Sequence, residues 1–239
     1  MNPPPTVYLD AMVLRFSQTS LLRFFPRKTT LDWGHTKSEL VVNDLKHFNP
    51  NIKIRDLNHR REANLVEQIA HHVKAGKIQA VMQMETELES WNHVTLEFNE
   101  KGKFYGAPIK YVDAPFRYER TMIGGRLSIQ ELQLGFFSGI KDKRFIELQK
   151  ITGAFQGNDK YCHQQLLDAF HIWCAEYNRC DYFLTLDYNL IKMVARHKLK
   201  PVKPVLVRPS QLLYELSSPL QKFFHRIFHP FASHQKTHI

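Results

Sequence analysis

The sequence has no apolar run approaching the roughly 18 residues that a membrane-spanning helix requires. Its opening, Met1-Asn2-Pro3-Pro4-Pro5-Thr6, lacks the charged and apolar regions of a signal peptide. A cytoplasmic protein with no membrane partner is therefore expected. Cysteine is scarce as well: Cys162, Cys174 and Cys180 form an odd, clustered set without paired spacing. That argues against a disulfide framework or a structural zinc site and leaves buried thiols. Glycine is sparse, and nothing around Gly124-Gly125 forms a phosphate-cradling motif. Acidic residues nearly vanish after Asp187, where nine Lys and Arg stand against Glu215 alone. Over the whole chain 33 basic residues exceed 23 acidic ones, a formal charge of +10 that suits a polyanionic partner.

With 239 residues, 43% of them hydrophobic, the chain can build a core of its own. We read residues 6–216 as one α/β domain, with a basic tail rich in His and Phe over 217–239. Short apolar runs at Val7-Tyr8-Leu9, Ile78 to Met82, Tyr182 to Leu186 and Val205-Leu206-Val207 read as strands. Val66, Ile69, Ala70 and Val73 follow helical spacing over 62–75, with Gly76 as the stop. Asn189–Lys198 looks helical, and Pro209-Ser210 opens a short helix. Helical patterning also marks 143–152, ended by Gly153, and a stretch reaching about Arg179 that Asp159 would cap. Arg15 to Lys28 reads as helix-like, closed by Pro26, and 29–60 is polar and weakly periodic. Val94 to Phe98 and Ile109 to Val112 alternate as in a β-hairpin or extended excursion. A capping box, Ser128-Ile129-Gln130-Glu131, opens a further helix. Residues 93–160 are taken as an insertion or elaborated flank at one sheet edge.

Two of the strands lead into aspartates, Asp10 and Asp187. In an open parallel sheet the ligand crevice lies beyond the carboxyl ends of the strands, so two such carboxylates can share a pocket. Asp168 sits on the helix before the second of these strands, and Glu85, Glu87 and Glu89 follow the Ile78–Met82 strand. Glu85 and Glu89 share a helix face, which Glu87 does not. Clustered carboxylates suit a hard divalent cation. His171 reads as a packed residue or an orienter of a ligand, because hard oxygen sites rarely need imidazole. Taken singly, an aspartate after a strand is usually a turn or cap residue.

Asp168-Ala169-Phe170-His171, then Ala175, then Cys180-Asp181-Tyr182-Phe183-Leu184-Thr185-Leu186-Asp187 resembles the C-terminal signature of PIN-domain nucleases. Tyr8-Leu9-Asp10-Ala11-Met12-Val13-Leu14 is similar to that family's first strand and first aspartate, and 62–91 to its middle. The resemblance leaves 93–160 and the tail without a counterpart. It implies a three-layer α/β/α fold on a mostly parallel sheet, Mg²⁺ or Mn²⁺ as cofactor, and hydrolysis of RNA. Carried over by position, Asp10, Asp168 and Asp187 are the aspartates. Glu89 is the glutamate because Thr86 stands three residues before it, with Glu85 one turn away as the alternative.

In such a site Asp10 and Asp187 would bind the metal directly, Asp168 would bind or bridge, and Glu89 would bind through water or orient. Two divalent ions suit phosphodiester hydrolysis because they offset charge on the attacking and leaving oxygens. Arg15, Arg23, Lys192, Arg196 and Lys198 are the candidates for phosphate contact, and Phe24, Phe25, Trp33 and Tyr188 for base stacking. The function expected is an Mg²⁺- or Mn²⁺-dependent endoribonuclease, with DNA as the alternative substrate. The competing reading is a non-catalytic PIN-like module that binds RNA or protein. A homodimer and an antitoxin partner are both compatible with the resemblance.

Overall fold

The computed structural model describes residues 3–18, 21–32, 34, 36–48, 54–91, 102–118, 129–154, 162–197 and 201–217. In chain order the elements are β1 (Thr6–Leu9), α1 (Ala11–Ser17), β2 (Leu21–Asp32), β3 (Lys37–Phe48), α2 (Leu57–Lys74), β4 (Gln79–Met82), α3 (Met84–Trp91), β5 (Ile109–Tyr111), α4 (Ile129–Ser138), α5 (Lys143–Thr152), α6 (His163–Tyr177), β6 (Tyr182–Leu184), α7 (Tyr188–Arg196), β7 (Val205–Val207) and α8 (Pro209–Leu216). Five strands form one all-parallel sheet in the order β5-β4-β1-β6-β7. The chain thus steps outward from β1 to β4 and β5, then returns to the other side of β1 for β6 and β7. That reversal is the topological switch point where open α/β sheets place their crevice.

The pleat divides each strand between two cores. Val7 and Leu9 of β1, Ala80 and Met82 of β4 and Leu184 of β6 join buried side chains of α1, α2 and α8 on one face. Tyr8, Val81 and Phe183 join those of α4, α5, α6 and α7 on the other. The result is an α/β fold with helices covering both faces of a parallel sheet. Among the described residues no helix is long and apolar enough to cross a membrane.

Local chemistry explains the element ends. The Asp56 carboxylate accepts from the backbone N–H of Asn58 and His59 and starts α2, and Gly76 beyond its end takes φ +68°. Asp142 caps α5 in the same way, and Gly153 adopts the left-handed conformation at its stop. Both glycines stand where a Cβ would be strained. α6 is buried on all sides from Leu166 to Glu176, as expected for a helix between a sheet and a second helical layer. Its last residue, Tyr177, is exposed. Cys174 and Cys180 are buried free thiols and Cys162 is a half-buried one.

One expectation needs correction. Residues 15–28 are helical only to Ser17; from Leu21 the chain is β2, paired antiparallel along its length with β3, and Pro26 sits in the ladder opposite Asn43. A two-stranded ribbon lets proline occupy an edge, where the missing N–H costs nothing. β5 pairs in parallel with β4 as the sheet edge. The other half of the expected hairpin, Val94–Phe98, lies outside the described residues, as do Ser128 and Asp159. The described part of 93–160 also carries Phe137, Phe145, Leu148 and Ile151 into the core beside α6.

Candidate active site

Asp10 follows β1 directly, and its backbone N–H donates to the Leu184 carbonyl at the end of β6 (3.1 Å). It occupies the N-cap position of α1 without making a side-chain cap. Instead its Oδ2 accepts from the Thr185 hydroxyl at 2.5 Å, and Thr185 Oγ1 in turn accepts from the Asp187 N–H at 2.9 Å. Thr185 therefore ties the ends of the two central strands together and aims both aspartates from one rim. Asp187 spends Oδ1 on the N-terminus of α7, accepting from Asn189 and Leu190 N–H at 2.7 and 3.1 Å, a position the helix dipole favours for an anion.

Asp168 and His171 lie on one face of α6, one turn apart. His171 is almost fully buried, with Nδ1 2.9 Å from the Tyr8 hydroxyl and Nε2 2.5 Å from Glu89 Oε1. Thr86 approaches the same hydroxyl at 3.3 Å. Burial alone would lower the His171 pKa, but the Glu89 carboxylate outweighs it and raises the value.

These groups act on one another as a single cluster. Burial pushes the Asp10 carboxyl up to about 6, with Glu89 and Asp187 adding to the shift while the Thr185 hydroxyl and His171 oppose it. Asp168 is raised well above the usual carboxylate range by burial and then by the charges of Asp10, Glu89 and Asp187. No Lys or Arg figures among the groups acting most strongly on either aspartate. Asp10, Glu89, Asp168 and Asp187, from four elements, thus act on one another at the switch point, with His171 as the one basic group that pairs with them among those described.

Glu85 and Glu89 part company. Glu85 is fully buried and accepts from Tyr118 Oη at 3.0 Å and Gln133 Nε2 at 2.9 Å, so it pins the chain near Tyr118 and α4 to α3. Glu89, one turn on, faces the aspartates through His171. Glu87 accepts from Tyr111 Oη at 2.7 Å on the exposed side. Among the described residues no three His, Cys, Asp or Glu side chains stand at metal-ligand spacing; Asp10, Glu89 and Asp187 are each engaged by a protein donor. The donor set is all oxygen, with Asp10 and Asp168 buried and Glu89 and Asp187 half-buried, which fits a hard divalent ion.

Arg15 of α1 and Lys192 and Arg196 of α7 are exposed on the helices that leave the two aspartate-bearing strands. Arg23 lies on β2 opposite Lys46, its side chain outside the described residues, and Lys198 and Trp33 lie outside them too. The tail from residue 218 does likewise. A cavity of about 290 Å³ lined by Lys143, Arg144, Glu147, Glu176 and Lys203 is far from the aspartates, at the amino ends of the strands. There Arg144 clasps Glu176 with two bonds of 2.8 and 2.6 Å, which ties α5 to α6.

The chain has no significant match among protein-family models, curated proteins or solved structures. The functional reading therefore rests on the site. Sequence reasoning missed Tyr8, whose hydroxyl in a strand buried on both faces must find a partner, and also His59 and Arg208, discussed below.

Proposed function

We propose that this chain is a metal-dependent nuclease of PIN type that hydrolyses phosphodiester bonds, with RNA as its substrate and Mg²⁺ or Mn²⁺ as its cofactor. The observation that supports this most is the mutual electrostatic strain of Asp10, Glu89, Asp168 and Asp187 at the switch point of a parallel sheet. Buried like charges without a counter-ion are costly, and clusters of them are characteristic of functional sites. A divalent ion bound there would lower the pKa of the attacking water and offset charge on the attacking and leaving oxygens. The chain's own residues do the rest. Thr185 holds the Asp10 carboxylate in place, His171 holds Glu89, and Asp187 is fixed by the first turn of α7. Arg15 and Lys192, one turn into the helices that leave the two aspartate-bearing strands, and Arg196, one turn further on, would supply positive charge for the sugar-phosphate backbone. In the hydrolysis, water oxygen bonds to phosphorus, the bond to the leaving ribose oxygen breaks, and that oxygen takes up a proton.

A second reading, a non-catalytic module that binds RNA or protein, is favoured by the protein donors that already engage three of the four carboxylates. Incubation of purified protein with single-stranded RNA and Mn²⁺ separates the two. We expect cleavage that stops in EDTA and falls at least about a hundredfold in Asp10→Asn, the scale for losing a group that stabilises transition-state charge. Salt-sensitive RNA binding with no cleavage under Mn²⁺ or Mg²⁺ selects the second reading.

A further inference from the structure

Beside the acidic crevice, on the rim where α2, α7 and α8 begin, three aromatic rings form a chain. Phe16 meets His59 edge-on at 5.2 Å between centroids, and His59 meets Tyr188 edge-on at 5.4 Å. The Arg208 guanidinium stands over the Tyr188 ring at 5.5 Å. Tyr188 directly follows Asp187, so this group adjoins the carboxylate cluster. Among the described residues three buried side-chain polar atoms lack a hydrogen-bond partner, and two of them, His59 Nε2 and Tyr188 Oη, belong to this one ring pair.

A buried donor left unpaired is costly. Two on touching rings, beside a cation, call for one ligand that satisfies them together. Tyr188 Oη can donate. His59 Nε2 donates in the matching tautomer, and Arg208 offers a planar fork with no acceptor. Arg208 acts on Tyr188 through its charge and by approaching Oη as a donor, which leaves the Tyr188 O–H itself still to be donated. The local acids are already committed. Glu62 accepts from Ser210 N–H at 2.8 Å and Ser210 Oγ at 2.6 Å, and Asp56 caps α2. Donors are left over and acceptors are spent.

We propose that His59, Tyr188 and Arg208 form a phosphate subsite that binds the backbone phosphate of single-stranded RNA next to the one positioned over the carboxylates. The position relative to the cut rests on the nuclease reading; the phosphate binding itself does not. Arginine suits the ligand because its fork matches phosphate oxygens two at a time.

Binding of a short fluorescent oligouridylate, followed by anisotropy in EDTA at low salt, tests the subsite with no cleavage in play. We expect Arg208→Ala to weaken binding about tenfold and to reduce the slope of log K against log salt by about one. Tyr188→Phe keeps the ring, removes only the hydroxyl, and is expected to weaken binding about threefold. Asp10→Asn is expected to bind at least as tightly as wild type. Unchanged affinity in both Arg208→Ala and Tyr188→Phe, or no measurable binding by wild type, overturns the subsite. If the two variants lose affinity but wild type never cleaves with Mn²⁺, the subsite stands and the nuclease reading falls. If wild type cleaves and both variants bind and cleave as it does, the reverse holds.

Discussion

Asp10 carries a cost that should be visible without any substrate. Its carboxyl titrates near 6 in the fold against about 3.9 in an unfolded chain. Below about pH 4 both states hold the proton; as pH rises toward 6 the unfolded chain releases it while the native site keeps it, so stability falls across that window. One such group amounts to about 3 kcal/mol by pH 7. Asp10→Asn, which keeps the shape and cannot ionise, should be more stable than wild type at pH 7 and lose that advantage near pH 4. Urea titrations of both proteins over this range check it, and a variant less stable than wild type at every pH would refute it. His171 shows the opposite dependence on a single group. Its imidazole binds Glu89 on one side and Tyr8 on the other inside the core. His171→Ala leaves both without their partner and is expected to cost about 3 kcal/mol, the scale for breaking a buried ion pair. A loss below about 1 kcal/mol in the same titrations would mean the relay is not holding the site.

At the level of elements, no described side chain of the β2–β3 ribbon belongs to either core. Of its large apolar side chains, Leu31, Leu40, Val41 and Val42 are exposed, and its cross-strand ion pairs, Arg27 with Asp44 at 3.0 Å and Lys28 with Glu39 at 3.7 Å, are solvated and weak. A two-stranded hairpin is marginal by itself, so replacing 21–48 by a short Gly/Ser linker should cost less than about 1 kcal/mol. Cooperative thermal unfolding near the wild-type midpoint is the expected result; an insoluble or unfolded deletion would show that the ribbon is part of the core. The ribbon also marks where local patterning stops being informative. Arg and Lys interleaved with Phe and Leu over 15–28 are compatible with a helix, and only the pairing with 37–48 settles the matter. By contrast, α2 and α5 were legible because their stops, Gly76 and Gly153, act within one turn. Asp10 and Asp187 were legible because they end apolar runs. The choice between Glu85 and Glu89 was not, since it depends on Tyr118 and Gln133, 33 and 48 residues beyond Glu85. His59 gave no local signal, as its neighbours Phe16 and Tyr188 reach it only through the fold.

For the molecule as a whole, the distribution of charge is the central physical fact. A chain of net charge +10 concentrates four buried or half-buried carboxylates at one point of its sheet and keeps basic side chains on the helices around them. On the nuclease reading, positive surroundings would bring in the polyanion, and a small divalent ion held by these oxygens would keep the acidic centre from repelling it. Such an ion binds the native state and not the unfolded chain, so it should raise stability by about 2.7 kcal/mol at a concentration one hundred times its dissociation constant. Thermal unfolding in a Mn²⁺ series should show the midpoint rising with concentration for wild type, and staying level for Asp168→Asn, which removes one charge from the cluster and leaves its shape. Lys192→Ala, outside the cluster, should follow wild type. Equal shifts in all three proteins would place Mn²⁺ elsewhere on the surface, and the acidic cluster would then have to be balanced by protons alone.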